Sequence, residues 1–138
     1  MKLVPYQSVD GLPFTVTLDE VLARRGPPRR RQCNAVGLDE LDYGDTVLRF
    51  QRSSGRLEEV TRRAPVLYLR LADAVVDLPF AALAGHVRAQ DAAAFDCAGF
   101  LVSPRFGLAF VPAQPDWVTA LAAHCIDTWR VMGGERSR

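Results

Sequence analysis

The segment Thr46-Val-Leu-Arg-Phe-Gln-Arg-Ser-Ser-Gly-Arg-Leu-Glu-Glu-Val-Thr61 decides how the rest of the chain is read. From Thr46 to Arg52, Leu48 and Phe50 alternate with Val47, Arg49 and Gln51, the period of a strand with one apolar face. Ser53-Ser54-Gly55 turns the chain, and Arg56 to Thr61 returns as a second strand. Upstream, Glu40 to Tyr43 reads as a short strand that enters this one through a Gly44-Asp45 turn. Downstream, Val66 to Leu71 sets Leu67, Leu69 and Leu71 on one face against Val66, Tyr68 and Arg70 on the other. These pieces predict an antiparallel meander with one buried face.

Helices flank it. Thr17 and Glu20 form a T-x-x-E capping box, and Leu18, Val21 and Leu22 follow at helical spacing. Gly26-Pro27-Pro28 ends that helix, so 17–25 is read as helical. A second helix starts near Pro79, with Phe80, Leu83, Ala84 and Val87 as its stripe. Phe100 to Ser103 and Leu108 to Val111 read as a hairpin around Pro104-Arg-Phe-Gly107. A last helix, capped by Asp116, carries Val118, Leu121, Ala122, Cys125, Trp129 and Met132 and ends at Gly133-Gly134, leaving 135–138 as a frayed tail. The expected fold class is α+β, an antiparallel sheet with helices packed on one face, in one domain over 1–134.

Leu12-Pro13-Phe14 recurs as Leu78-Pro79-Phe80, an offset of 66 residues, which places Val21 over Val87. Tyr43-Gly44 and Phe106-Gly107 correspond roughly. One reading is two tandem helix-plus-hairpin halves, 9–71 and 72–134. The other is a single domain whose two helices share a sheet without common ancestry.

Size and composition narrow the function. A chain of 138 residues with 49% hydrophobic and 24% charged residues can bury a core. A net charge of +1 disfavours a general nucleic-acid binder, and no stretch is long and apolar enough to span a bilayer. No hydrophobic export signal opens the chain, and the three cysteines, Cys33, Cys97 and Cys125, have no C-x-x-C spacing. Reduced thiols and a cytoplasmic location are therefore expected. Sixteen arginines against one lysine suggest a GC-rich, bacterial coding genome.

Catalytic and metal signatures are sparse. His86 and His124 lie in predicted helices without a second ligand at i+3 or i+4. Cys125, next to His124, is expected on a different side of its helix. Glu58 and Glu59, adjacent on a strand, are expected to face opposite sides. No phosphate loop, nucleophile elbow or dinucleotide fingerprint is present. No catalytic residue, metal or cofactor is assigned. The candidate partner-binding residues are Glu40, Asp42, Tyr43 and Asp45, an acidic rim around an aromatic, with Trp117 as a second anchor. The alternative for the acids is plain turn chemistry. Arg24 to Arg31 is the one charge run, either a contact for phosphate or an acidic partner, or a solvated helix end.

Leu18-Asp-Glu-Val21, Gly26-Pro27, Asp42-Tyr43-Gly44-Asp45, Val47, Arg49-Phe50 and Gly55-Arg-Leu-Glu-Glu-Val-Thr61 resemble a pattern of small bacterial proteins, some encoded beside secreted toxins as immunity proteins. The helix-then-hairpin order is also similar to the superfamily of β-lactamase inhibitor proteins and outer-membrane assembly lipoproteins, in which tandem copies make a concave binding sheet. The chain departs from the lipoprotein members in lacking a lipobox cysteine. The resemblance implies a binder without an active site, a cytosolic immunity protein that occludes the active site of a cognate toxin. The rival expectations are a small enzyme using His86, His124 and Cys97 or Cys125, and a nucleic-acid-binding regulator using Arg24 to Arg31.

Overall fold

A computed structural model describes residues 1–69 and 74–136, the last five of these by backbone alone. The first helix forms as its cap dictates. Thr17 accepts the Glu20 amide, the Glu20 carboxylate accepts the Thr17 amide, and α1 runs Leu18–Arg25. It rests on the 53–55 turn, with the Leu18 amide donating to the Gly55 carbonyl at 2.9 Å, and it buries Val21.

The chain is predominantly β, which corrects the expected α+β class. Ahead of α1 come three short strands, β1 (Lys2–Val4), β2 (Ser8–Val9) and β3 (Leu12–Pro13). After it come β4 (Arg30–Cys33), β5 (Leu38–Asp42), β6 (Thr46–Gln51) and β7 (Leu57–Arg63). Next are β8 (Val66–Leu69), β9 (Val75–Leu78) and the helix α2 (Phe80–Gln90). The chain closes with β10 (Phe95–Cys97), β11 (Phe100–Ser103), β12 (Leu108–Phe110), β13 (Trp117–Leu121) and the helix α3 (Cys125–Arg136). The order helix then four antiparallel strands occurs twice, where a single hairpin after each helix was expected. Arg70 and Leu71 of the expected strand, the 71/72 boundary between halves, the Met132 side chain and the last two tail residues lie outside what is described.

The 40–61 part of the meander and the 100–111 hairpin are found where the alternation puts them, but Val66–Leu69, expected as the meander's next strand, leaves it for a second sheet, parallel to β1 and antiparallel to β9. Two misreadings account for the rest. Strands of two to four residues are too short to display a period. Helical spacing at Val118, Leu121, Ala122 and Cys125 predicts a helix over Trp117–Leu121 as well. That segment is a strand, with Val118 and Ala120 buried and Trp117 and Thr119 on the opposite face. The last helix begins only at Cys125 and runs through Gly133-Gly134.

Two sheets result. The smaller has the order β3-β2-β1-β8-β9, and the larger β10-β11-β12-β13-β7-β6-β5-β4. The seam of the larger sheet is the antiparallel β13–β7 pair, registering Trp117 with Arg63 through Leu121 with Glu59. With one face, α2 covers the junction of the two sheets. Its Leu83, His86 and Val87 meet Leu3, Val66, Tyr68 and Leu78 of the smaller sheet and Phe106 and Leu108 beside the larger one. The buried face of the larger sheet contributes Leu41, Leu48, Phe50, Val60, Leu101 and Phe110, all at most 1% exposed. Asp91 ends α2 and is itself buried. Its carboxylate accepts the Ser103 hydroxyl at 2.7 Å and the Ala93 and Arg105 amides at 2.9 and 3.0 Å, fastening the helix to the β11–β12 turn. That turn needs glycine at Gly107, where φ is +62° and a Cβ would stand 2.9 Å from the Tyr6 ring.

Candidate functional site: a cleft on the second face of the large sheet

Leu38, Glu40, Val47, Arg49, Gln51, Glu59, Thr61, Trp117 and Thr119 share the face of the large sheet that points away from α2, as their cross-strand registers require. A cleft of about 470 Å³ opens there. One wall comes from Val36 and Leu38 near β5, and the other from Cys97 and Phe100 on β10 and β11. Five strand spacings separate β5 from β11, about 24 Å in a flat sheet. Both walls bound one cleft, so the sheet is curled and this face is concave. A second depression of about 330 Å³ adjoins it and shares Phe100. Val47, Arg49, Thr61, Trp117 and Thr119 line it.

The floor is a polar network. Arg49 pairs with Glu40 at 2.8 Å and Glu59 at 3.5 Å and donates to the Thr61 hydroxyl at 2.7 Å. Thr61 in turn bonds Thr119 at 2.7 Å, and Gln32 donates to Glu40 at 3.0 Å. Burial raises the Glu59 carboxyl above its ordinary value, opposed by Arg49 and reinforced by Glu58.

Three chemically active groups meet at the cleft's end. Arg49 registers with Glu59 and Phe50 with Leu57, so Glu58 is the extra residue of a β-bulge. A bulge re-aims its side chain, and the buried Glu58 turns toward the start of α3 instead of alternating with Glu59. There its carboxylate is hydrogen-bonded to the His124 imidazole and accepts the Cys125 thiol at 2.9 Å. The Glu58 carbonyl accepts the Ala122 amide at 2.9 Å, which holds the β13–α3 connection over the bulge. Burial first, then the Glu58 carboxylate, pushes the Cys125 thiol well above its ordinary value. Phe100 and Trp129, with ring centroids 5.1 Å apart, form the apolar lip.

Two sequence expectations fail here. The sequence predicts His124 and Cys125 on different sides of one helix, and Glu58 and Glu59 on different faces of one strand. His124 precedes the first residue of α3, so helical geometry does not separate it from Cys125. The bulge cancels the alternation, and both glutamates line the cleft. No spacing in the sequence announces a 66-residue contact that depends on a bulge.

Of the five candidate partner-binding residues, Glu40, Asp42 and Trp117 lie on the concave face by their registers. Glu40 is held by Arg49 and Gln32, and the Arg63 guanidinium stacks 4.4 Å over the Trp117 ring. Asp42 accepts the Gly44 amide at 2.7 Å as a turn residue. Tyr43 donates its hydroxyl to the Gly26 carbonyl at 2.9 Å, and Asp45, 73% exposed, stands 3.8 Å from Arg62. The structure therefore does not gather these five into one patch. In the arginine run, Arg24 approaches Glu20, Arg25 lies over the Tyr43 ring, and Arg31 makes a two-toothed pair with Asp39. Arg30 and Arg31 belong to the edge strand β4 instead of a loop. His86 is remote from the cleft, bonded to the Tyr68 hydroxyl at 2.5 Å at the junction of the two sheets. Among the described residues, no helix is long and apolar enough to cross a membrane. No family model, curated protein or solved structure matches the chain, so the reading of this cleft rests on its own residues.

Proposed function

We propose that the chain is a binding protein of the immunity type, which takes a protruding loop of a partner toxin on the concave face of its eight-stranded sheet. The observation that carries this reading is the face itself. It is curved, spans both β-halves, and holds its polar floor in place before any partner arrives, because Glu40, Arg49, Thr61 and Thr119 already satisfy one another. A preorganised surface loses little entropy on binding. Trp117 and the Phe100–Trp129 lip supply aromatic area of the kind that dominates binding energy. The occluded toxin would act in the same compartment as its inhibitor.

The test is co-purification of the tagged chain with the products of its neighbouring genes, together with rescue of cells from any toxic neighbour. A stoichiometric complex, weakened at least about tenfold by Trp117→Ala, supports the reading. If no neighbour is toxic and the chain purifies alone, the immunity role fails.

One observation favours an enzyme instead, the convergence of His124, Cys125 and Glu58. Against it, the carboxylate lies between the imidazole and the thiol, and the thiol is held in its unreactive protonated form. Rapid alkylation of Cys125 in the folded protein, followed by loss of function, would reverse that preference.

A further inference from the structure

We infer that Glu58, His124 and Cys125 form a binding site for one thiophilic divalent cation of the zinc class, with a coordination position open to the cleft. The Glu58 carboxylate oxygen, an imidazole nitrogen of His124 and the Cys125 sulfur all lie within 4.8 Å of one another. Tetrahedral zinc needs its nitrogen and oxygen ligands roughly 3.4 Å apart and sulfur about 3.6 Å from either. The Cys125 sulfur is 2.9 Å from the Glu58 oxygen, so a small outward rotation of these side chains admits the ion. The positions are held from outside the site. The bulge fixes Glu58, and the Cys125 amide donates to the Ala122 carbonyl at 3.0 Å.

Ligand type selects the metal. A thiolate with an imidazole suits zinc or a similar borderline ion, whereas magnesium and calcium seek oxygen ligands. Charge points the same way. Glu58 is almost fully buried beside Glu59, and its other oxygen stands 3.8 Å from the half-exposed Arg56 guanidinium. A dication would neutralise Glu58 and a newly formed thiolate together. Binding balances as one metal ion taken up and the Cys125 proton released, with His124 binding as the neutral imidazole. Access is present, because His124 is 37% exposed and the cleft reaches all three ligands. With three protein ligands and a cleft at the fourth position, the site has the open form of a zinc centre that exchanges water for an outside group.

The experiment titrates chelator-treated full-length protein with cobalt(II) and then zinc. The expected result is one equivalent of cobalt bound, with a thiolate-to-cobalt charge-transfer band and intense tetrahedral visible bands, both erased by zinc and neither given by magnesium. Cys125→Ser should abolish the charge-transfer band, and His124→Ala should weaken zinc binding at least about tenfold. Cys33→Ser, at an exposed cysteine outside the cluster, should leave both unchanged. Far-ultraviolet circular dichroism identifies which variants are folded. His124→Ala alters the most exposed of the three ligands, so it keeps the test decisive if Cys125→Ser unfolds. No charge-transfer band in the wild type, or unchanged zinc affinity in folded His124→Ala, would overturn the assignment. Neither outcome depends on a toxin partner being found.

Discussion

Asp91 and Glu58 are two buried carboxylates on opposite sides of the large sheet, and they differ in what surrounds them. Around Asp91 the donors are a serine hydroxyl and two backbone amides, groups that carry no charge and do not titrate in the ordinary pH range. The Glu58 carboxylate is partnered by an imidazole and a thiol, both of which can lose or exchange a proton and both of which ligate metals. A carboxylate saturated by fixed donors fastens elements together. One partnered by titratable ligands stores a capacity for chemistry. The comparison separates structural from functional acids by their partners, since burial is nearly the same for both, 6% and 5%.

The largest expected effect lies on the structural side. Asp91→Ala leaves a buried hydroxyl and two amides without acceptors and should cost about 3 kcal/mol, read from urea unfolding midpoints. A loss under about 1 kcal/mol would mean that water replaces the carboxylate, and the contrast would collapse. Arg49→Met comes next. It strands Glu40 and Glu59 without their shared cation and should cost about 2 kcal/mol at neutral pH, less in acid.

A smaller effect sharpens the comparison through pH. Burial raises the folded-state pKa of Glu59 above its ordinary 4.5, so the folded chain binds this proton more readily than the unfolded chain. Its contribution therefore favours folding below 4.5 and declines as pH rises from there through the folded value. Glu59→Gln should flatten the stability profile across that window, measured by unfolding midpoints at a series of pH values. A profile that keeps its slope in the variant would assign it to another group. The smallest effect is expected at the sheet edge. Arg31→Ala removes a half-exposed ion pair with Asp39 and should change stability by less than about 0.5 kcal/mol.

Much of the scaffold is legible in the sequence, because its signals are local. The Thr17–Glu20 box, the Thr46–Gln51 alternation and the Ser53-Ser54-Gly55 turn each state their structure within a few residues. The small sheet is not legible, since Ser8–Val9 and Leu12–Pro13 are strands by pairing and not by pattern. Trp117–Leu121 misleads because its apolar residues also satisfy helical spacing, at Val118, Leu121 and then Cys125. The site is hidden for a different reason. Glu58 reaches Cys125 only because one extra residue in β7 reverses the face of a side chain, and extra residues leave no periodic trace.

The β13–β7 seam bears on how the chain is made. Residues 57–63 are synthesised more than fifty positions before 117–121, the strand that completes their hydrogen bonding. Until the ribosome has released both, the Glu59–Arg63 edge of β7 lacks its ladder partner. Such an edge invites pairing with another nascent copy. A pairing this distant in sequence also closes slowly. Glu58, Glu59, Arg62 and Arg63 are charges of the kind that discourages intermolecular pairing along an open strand edge.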